Sequence, residues 1–460
     1  MHLSGRIPLT CLALLVLAPV LASGSGIYVP DVGTRATAMG CAFIGLADDY
    51  SAVHWNPAGI IDIQGTEATV SIHDAILLGS RDGDIIFRDN DPEQVENYYA
   101  IQTVSATTTT QHGLAPGFFF FTDAGPLQGL FSKIGLCGYT LAEYGAQWDG
   151  DDVADGFQSH LDNNYNVFNR NGAAPDYESS IRAYSLSPVV AREFSDRFSM
   201  GVTGHALYAG FSLKSGNWIA DGMYDPEQPS GQQYILDLDP YEMTEKLTGW
   251  GYGATVGARF QATDLLSVGA TVRTPITVTL DGDVEVSSTL ESYVSESQSE
   301  SFDFTFPMWA GVGIAYDDFL FEGTVLTADA QWTQWSEVDQ IVRSVDTELP
   351  NDLATTELQW EDTVEFGLGL DYRLSRSTSI RVGYRSVPTP VTDEMFDFVM
   401  PMSQKSVFSV GVGYRSDVWR LDAALAYQSG DKRRLEGTQF MDGKHLDDVM
   451  IPSLSFTYGF

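Results

Sequence analysis

The chain has 460 residues, of which 62 are acidic and 25 basic, for a formal net charge of −37. That excess of carboxylates excludes a nucleic-acid partner, whose phosphates require a basic surface. It reads instead as solubility, or ion binding in exposed loops. With 3 cysteines and no CxxC or metal-ligand spacing, a disulfide-dense scaffold and a cysteine metal site are excluded as well.

Residues 1–6 are a short positive start and residues 7–22 are apolar, with Val20, Leu21 and Ala22 offering a cleavage site before Ser23. This predicts a signal peptide over residues 1–22, left out of the fold. Cys11 goes with it, leaving Cys41 and Cys137; their pairing is open from sequence, and two buried free thiols are the expectation. No later stretch approaches about 18 uninterrupted apolar residues, so no spanning helix is expected.

Residues 33–60 are rich in Gly and Ala, lack β-alternation and end in Asn56-Pro57-Ala58-Gly59. A compact irregular segment ahead of a long run of strands suggests a plug, assigned to residues 23–65, with a barrel over residues 66–460. Beyond Thr66 the period is two. Val364, Phe366, Leu368, Leu370 and Tyr372 lie on one face, and Glu365, Gly367, Gly369, Asp371 and Arg373 on the other. The pattern recurs over residues 250–260, 408–415 and 419–428, each time with an aromatic near one end, as an interfacial girdle requires.

A soluble sandwich alternates too, so the connections decide between the two. Very short turns fall near residues 194–197, 262–264, 317–318, 375–377 and 416–417. Between them lie long polar stretches near residues 80–111, 147–177, 214–246, 287–301, 338–356 and 431–446. Short turns at one end and long, acidic loops at the other predict an all-β outer-membrane barrel of about 14 antiparallel strands. An edge facing lipid would leave backbone groups unpaired, so the sheet must close, around a lumen too wide for side chains alone to fill. The chain ends with Leu454, Phe456, Tyr458 and Phe460 on one face, which resembles the terminal-strand signal read by the barrel assembly machinery.

Four blocks in order resemble the FadL-type long-chain fatty-acid transporter family, which includes aromatic-hydrocarbon channels of the TodX kind. They are the Gly/Ala run closing on Asn56, Pro57 and Ala58; Met308-Trp309 through Trp332-Thr-Gln-Trp335-Ser336; Arg381 through Pro390; and Phe456-Thr-Tyr-Gly-Phe460. The resemblance covers nearly the whole mature chain. It implies a 14-stranded barrel with an N-terminal hatch and ligand capture at the extracellular loops. It further implies an internal pocket against the hatch and lateral exit through a kinked third strand. Here Gly135 and Gly138 are the candidate kink residues. Lateral exit suits an acyl chain, which gains about 0.8 kcal/mol for each buried CH₂ and would lose it in a water-filled pore.

By the same resemblance Asn56, Pro57, Ala58 and Gly59 would fix the plug. Phe43, Trp55, Phe211, Trp309, Trp332 and Trp335 are candidates for the apolar pocket, and Lys214, Arg343 and Arg385 for a ligand's polar end. One cation of the fatty-acid members has no counterpart, because Tyr208-Ala209 is followed by Gly210. A neutral hydrocarbon therefore competes with fatty acid as the cargo.

The Gly-x-Gly pairs at Gly251/Gly253, Gly311/Gly313, Gly367/Gly369 and Gly411/Gly413 lie inside strands and open no helix, so they fit small residues beneath a plug better than a phosphate cradle. Arg259, Arg381, Arg385, Glu365, Asp371 and Asp422 face the lumen, and the expectation is paired charges tying plug to wall. The seven histidines show no HExxH, and no G-x-S-x-G occurs. No metal, no cofactor and no enzymatic activity are expected, although His205 with a strand serine is the one dyad left open. The expected protein is a monomeric outer-membrane channel for hydrophobic small molecules, in contact with outer-membrane lipid. The rival is a non-transporting secretion accessory with a similar hatch.

Overall fold

The computed structural model describes residues 31–88, 98–107, 111–148, 168–170, 177–224, 234–288, 296–345, 355–393, 395, 402–430, 433–435 and 443–460. The signal-peptide reading of residues 1–22 and the first residues of the expected plug lie outside these.

The structure is a closed antiparallel barrel of 14 strands. In chain order they are β1 (Glu67–Arg88), β2 (Tyr98–Thr107 and Gln111–Asp123), β3 (Lys133–Trp148), β4 (Tyr177–Ser195) and β5 (Phe198–Tyr224). There follow β6 (Tyr234–Gln261), β7 (Leu266–Arg273 and Ile276–Ser288), β8 (Glu296–Phe306 and Trp309–Asp317), β9 (Thr324–Thr333) and β10 (Thr363–Arg373). The last are β11 (Thr378–Val387), β12 (Lys405–Arg415), β13 (Trp419–Gly430) and β14 (Gly443–Gly459). Neighbours in sequence are neighbours in the sheet. The ring closes where β1 pairs with β14, from Glu67 opposite Gly459 to Asp82 opposite Lys444.

The pleat is inverted relative to a soluble protein. On β10, Val364, Phe366 and Leu368 are exposed, whereas Thr363, Glu365 and Asp371 are buried. The same inversion puts Val410, Val412, Leu425, Leu454 and Phe456 on the outside. Aromatic pairs bound the apolar band. Tyr208–Trp250 and Tyr384–Phe408, both 5.2 Å between ring centres, mark the long-loop end. Tyr414–Trp419 at 5.4 Å and Tyr458–Phe460 at 5.0 Å mark the short-turn end. From Phe408 to Tyr414 a strand rises about 20 Å, close to the height of an outer-membrane apolar band.

Several strands run further than sequence periodicity indicates. β5 and β6 stay paired out to Tyr224 opposite Tyr234, through residues expected to be a loop. β1 likewise continues to Arg88 and pairs with Tyr98–Thr107, again inside an expected loop. The cause is the outer solvent. Beyond Trp250 the outward residues of β6 are Thr248 and Lys246, and on β7 and β8 they are Thr277, Thr279, Asp281, Ser299 and Asp303. Water bathes the outer face there while Leu247, Val278, Leu280, Phe302 and Phe304 turn inward, so the apolar-out pattern of a membrane strand ends. The run Phe118–Phe121 alternates poorly for a different reason. Its aromatics fill both faces, with Phe119 and Phe121 buried and Phe118 exposed.

A closed ladder resists dodecyl sulphate until it is heated. Unheated protein is expected to run as a compact species well ahead of the boiled chain, and deletion of residues 454–460 to abolish that species. Identical migration with and without heating contradicts closure.

Candidate functional site in the lumen

Residues 31–65 lie within the ring of strands. They form two short helices, α1 (Thr34–Ala38) and α2 (Ala52–Trp55), and a 3₁₀ turn over Pro57–Asp62. Asn56 is the pivot. Its amide Nδ2 donates to the Ile44 and Ala258 carbonyls at 3.0 Å each, and its Oδ1 accepts from the Ala58 N–H at 3.2 Å. Pro57 then starts the 3₁₀ turn where no donor is needed. Wall side chains satisfy the remaining backbone: Asp329 accepts from the Ile44 N–H at 2.7 Å, Thr203 donates to Val53 O at 3.0 Å, and Ser267 to Gly45 O at 2.8 Å.

Glycines let the two backbones meet. A Cβ on Gly40, whose φ is +60°, would lie 2.5 Å from Tyr384 O. Wall glycines Gly311, Gly313, Gly367, Gly369, Gly383 and Gly411 face the same segment. Gly251 and Gly253 do not. They make room for the Ile276 side chain where β7 breaks, which corrects the expectation that all four Gly-x-Gly pairs lie against the plug.

A run of alternating charges ties the segment to the wall near the short-turn end. Arg35 bridges Asp48 at 2.5 Å and Asp371 at 3.0 Å; Arg381 bridges Asp371 at 2.9 Å and Asp422 at 2.7 Å; Arg420 reaches Asp422 at 3.1 Å. Arg259 pairs with Asp62 at 2.5 Å, and Arg385 pairs with Glu365. Arg35, Asp48, Asp62, Asp371, Arg381, Arg420 and Asp422 border a polar cavity of about 720 Å³ that opens at the short-turn end.

Above the segment the lumen is apolar. Phe211, Leu247, Val278, Leu280, Phe302, Phe304 and Phe306 line its wall, all buried. Residues 335–345 and 355–362, with Val391 and Met402, cover it from the long-loop side; here Trp335 meets Trp360 at 5.3 Å between ring centres. The floor is His54, Trp55, Tyr139 and Trp309. His54 lies 4.8 Å from Trp55 and 6.1 Å from Trp309, and the Arg273 guanidinium stands 5.3 Å over the Trp309 ring. Burial, followed by the Arg273 charge, holds the His54 imidazole well below its usual range, so the floor presents a neutral ring.

Among the described pairings the β2–β3 ladder ends early and does not resume, whereas the β6–β7 ladder breaks only between Thr255 opposite Arg273 and Thr248 opposite Asp281. β2 and β3 pair only from Asp123 opposite Lys133 to Gly117 opposite Tyr139. Above that point β2 pairs with β1, and β3 with β4. Pro116 has no N–H to give, and β3 bulges between Thr140 and Ala142, turning Leu141 into the lumen. Gly135 and Gly138, expected at the kink, sit in regular pairing opposite Phe121 and Phe118. The irregularity is at Leu141, three residues past Gly138, where a bulge supplies the bend without glycine.

The remaining candidates divide. Phe43, Trp55, Phe211, Trp309 and Trp335 are buried. Trp332 is a correction. It lies in an outward depression with Val256, Val272, Val312 and Val364, because a spacing of three places it and Trp335 on opposite faces. Lys214 pairs with Glu242 at 3.1 Å, and Arg343 with Glu300 at 3.1 Å and Glu245 at 3.5 Å. Gly59 is buried against the Ala47 carbonyl. Cys41 and Cys137 are buried thiols not joined in a disulfide, and the Cys41 thiol donates to Asp31 Oδ1 at 3.0 Å.

Sequence reasoning missed Glu245, Glu300, Tyr139, Arg273, Asp329 and Trp360. The phase Glu300, Phe302, Phe304, Phe306 was the available signal. The open Ser–His question also has an answer: Ser185 and Ser187 both lie 3.1 Å from His205 Nδ1, and Thr255 lies 2.8 Å from Nε2. Hydroxyls satisfy both ring nitrogens, and no carboxylate among the described hydrogen bonds orients the ring as general-base catalysis needs.

Replacing Asn56 by Ala removes the hydrogen bonds at the pivot and strands buried carbonyls, a loss of about 2–4 kcal/mol. The expected result is a lower melting temperature and frequent conductance openings in planar bilayers. Wild-type silence in those bilayers contradicts the role given to Asn56.

Comparison with known proteins agrees with this geometry. The family described as "Outer membrane protein transport protein (OMPP1/FadL/TodX)" matches residues 154–460. A Pseudomonas aeruginosa FadL homologue superposes with a TM-score of 0.73 at 18% identity, over 95% of this chain and 100% of that one. The P. putida toluene transporter TodX gives 0.64 at 16% identity, over 94% and 99%. The Ralstonia pickettii toluene transporter TbuX gives 0.63 at 15%, over 93% and 98%. No curated protein matches the chain at comparable significance. The chain belongs to the OMPP1/FadL/TodX family of outer-membrane transport proteins for hydrophobic compounds.

Proposed function

We propose that the protein takes up hydrophobic molecules passively, capturing them at the extracellular loops and holding them in the apolar upper lumen above the N-terminal plug. They then leave sideways into the outer membrane between β2 and β3. The seam carries this reading, since a barrel in lipid closes its backbone ladder everywhere it can. Its stretch from Pro116 to His112 lies at the level of Ile72 and Leu114, both exposed on the apolar band. The alternative, axial route crosses the cavity lined by Arg35, Asp48, Arg381, Arg420 and Asp422, where an acyl chain or aromatic ring meets charge and water. A long hydrocarbon chain and an aromatic ring both fit the apolar lining. The outward Leu454, Phe456, Tyr458 and Phe460 of β14 fit recognition by the barrel assembly machinery, and a monomer suffices for the route.

In cells lacking their own transporter, expression is expected to raise uptake of at least one of oleate, oleyl alcohol and toluene; no gain for any of them contradicts transport. A Cβ at Gly113 would lie 3.2 Å from Glu143 Cδ across the seam, so Gly113→Cys with Glu143→Cys can lock it. Oxidation of the double variant is expected to cut uptake about tenfold or more and reductant to restore it. Full uptake with the lock closed contradicts lateral exit.

A further inference from the structure

We propose that the mouth of the upper lumen admits hydrophobic molecules whose polar end is uncharged and donates a hydrogen bond, and turns carboxylates away; this rests on the transport reading above. Arg343 stands over Phe302, its guanidinium 5.9 Å from the ring centre, and Nη1 donates to Thr356 Oγ1 at 2.6 Å. It is the cation an incoming carboxylate would meet. Two carboxylates already converge on it, Glu300 at 3.1 Å and Glu245 at 3.5 Å, each side chain 1% exposed. With both glutamates ionised the cluster carries a net charge of −1, and with one protonated it carries none. Lys214, nearby on β5, is paired with Glu242 in the same way.

The oxygens show which head group is wanted. Oε2 of Glu300 and Oε2 of Glu245 are buried without a hydrogen-bond donor among the described residues, and Oε1 of Glu300 has only its ion pair with Arg343 Nε. Glu300 shares its inward face with Phe302, Phe304 and Phe306, and Glu245 shares its own with Leu247. Both lie beyond the membrane band, where the outward neighbours Lys246 and Ser299 are exposed and polar. Burial, followed by the Glu245 charge, pushes the Glu300 carboxyl up to about 7 against the pull of Arg343. These oxygens accept. A ligand hydroxyl supplies the donor they lack, whereas a ligand carboxylate adds a further acceptor and a like charge inside a poorly screened site.

The test compares three ligands sharing one apolar chain: oleyl alcohol, methyl oleate and oleate. Purified protein in nanodiscs at pH 8 is titrated with each in competition with a fluorescent long-chain alcohol. The alcohol is expected to bind at least about tenfold more tightly than oleate, about 1.4 kcal/mol, with the methyl ester between them. Glu245→Gln and Glu300→Gln, each checked for heat-modifiable migration, are expected to strengthen oleate binding several-fold and to leave the ester unchanged. Oleate binding as tightly as the alcohol overturns the inference but not transport. Arg273→Gln then shows whether the floor cation is the anchor. Failure of all three ligands to bind overturns the inference, and transport is then decided by the uptake measurement above.

Discussion

Everything in this molecule follows from the requirement that a backbone in lipid satisfy its own hydrogen bonds. Each unpaired N–H or C=O in the hydrocarbon costs several kcal/mol, so the strands must form a ring and the first must find the last. The ladder between β1 and β14 does this over most of both strands. The inverted pleat follows directly, because lipid takes the apolar face and the lumen takes Glu365, Asp371, Asp422 and their arginines. A seam in such a ring is expensive unless the site uses it. The gap between β2 and β3, built from a proline and a bulge, is therefore more informative about function than any single side chain.

A ring this wide also has to be filled, and the N-terminal segment fills it backbone against backbone. Small residues on both sides bring carbonyls and amides within reach of wall hydroxyls, Asp329 and Asn56. The charges divide the lumen. Toward the periplasm, Arg35, Arg381 and Arg420 alternate with aspartates; toward the outside, the lining turns aromatic and aliphatic. A hydrophobic molecule descending from the loops finds apolar surface as far as His54 and Trp309, and polar surface below. The seam opens beside that boundary, since Tyr139 is both a floor residue and the last residue of β3 paired to β2.

Strand number, closure and the enclosed segment were legible because two solvents impress a period of two on every membrane-facing stretch. Where water replaces lipid on the outer face the apolar-out signal ended, and β5, β6 and β1 ran on into what sequence alone marks as loop. The site was legible only in part. Trp55, Trp309 and Phe211 announce themselves by residue type, but the face of Trp332 depends on where β9 ends. The bulge at Leu141 has no glycine to betray it. Glu245, Glu300 and Arg343 come from segments far apart in the chain, and only the register of β6, β7 and β8 brings them together.

The central claim is the route: down through the apolar lumen and out through the wall. A photoreactive residue placed at Ala115, buried beside the seam, or at Ser377, on the periplasmic cavity, reports it directly when cells are illuminated during uptake of radiolabelled cargo. The account predicts strong labelling from position 115 and background labelling from position 377. Labelling from position 377 with none from position 115 would contradict it.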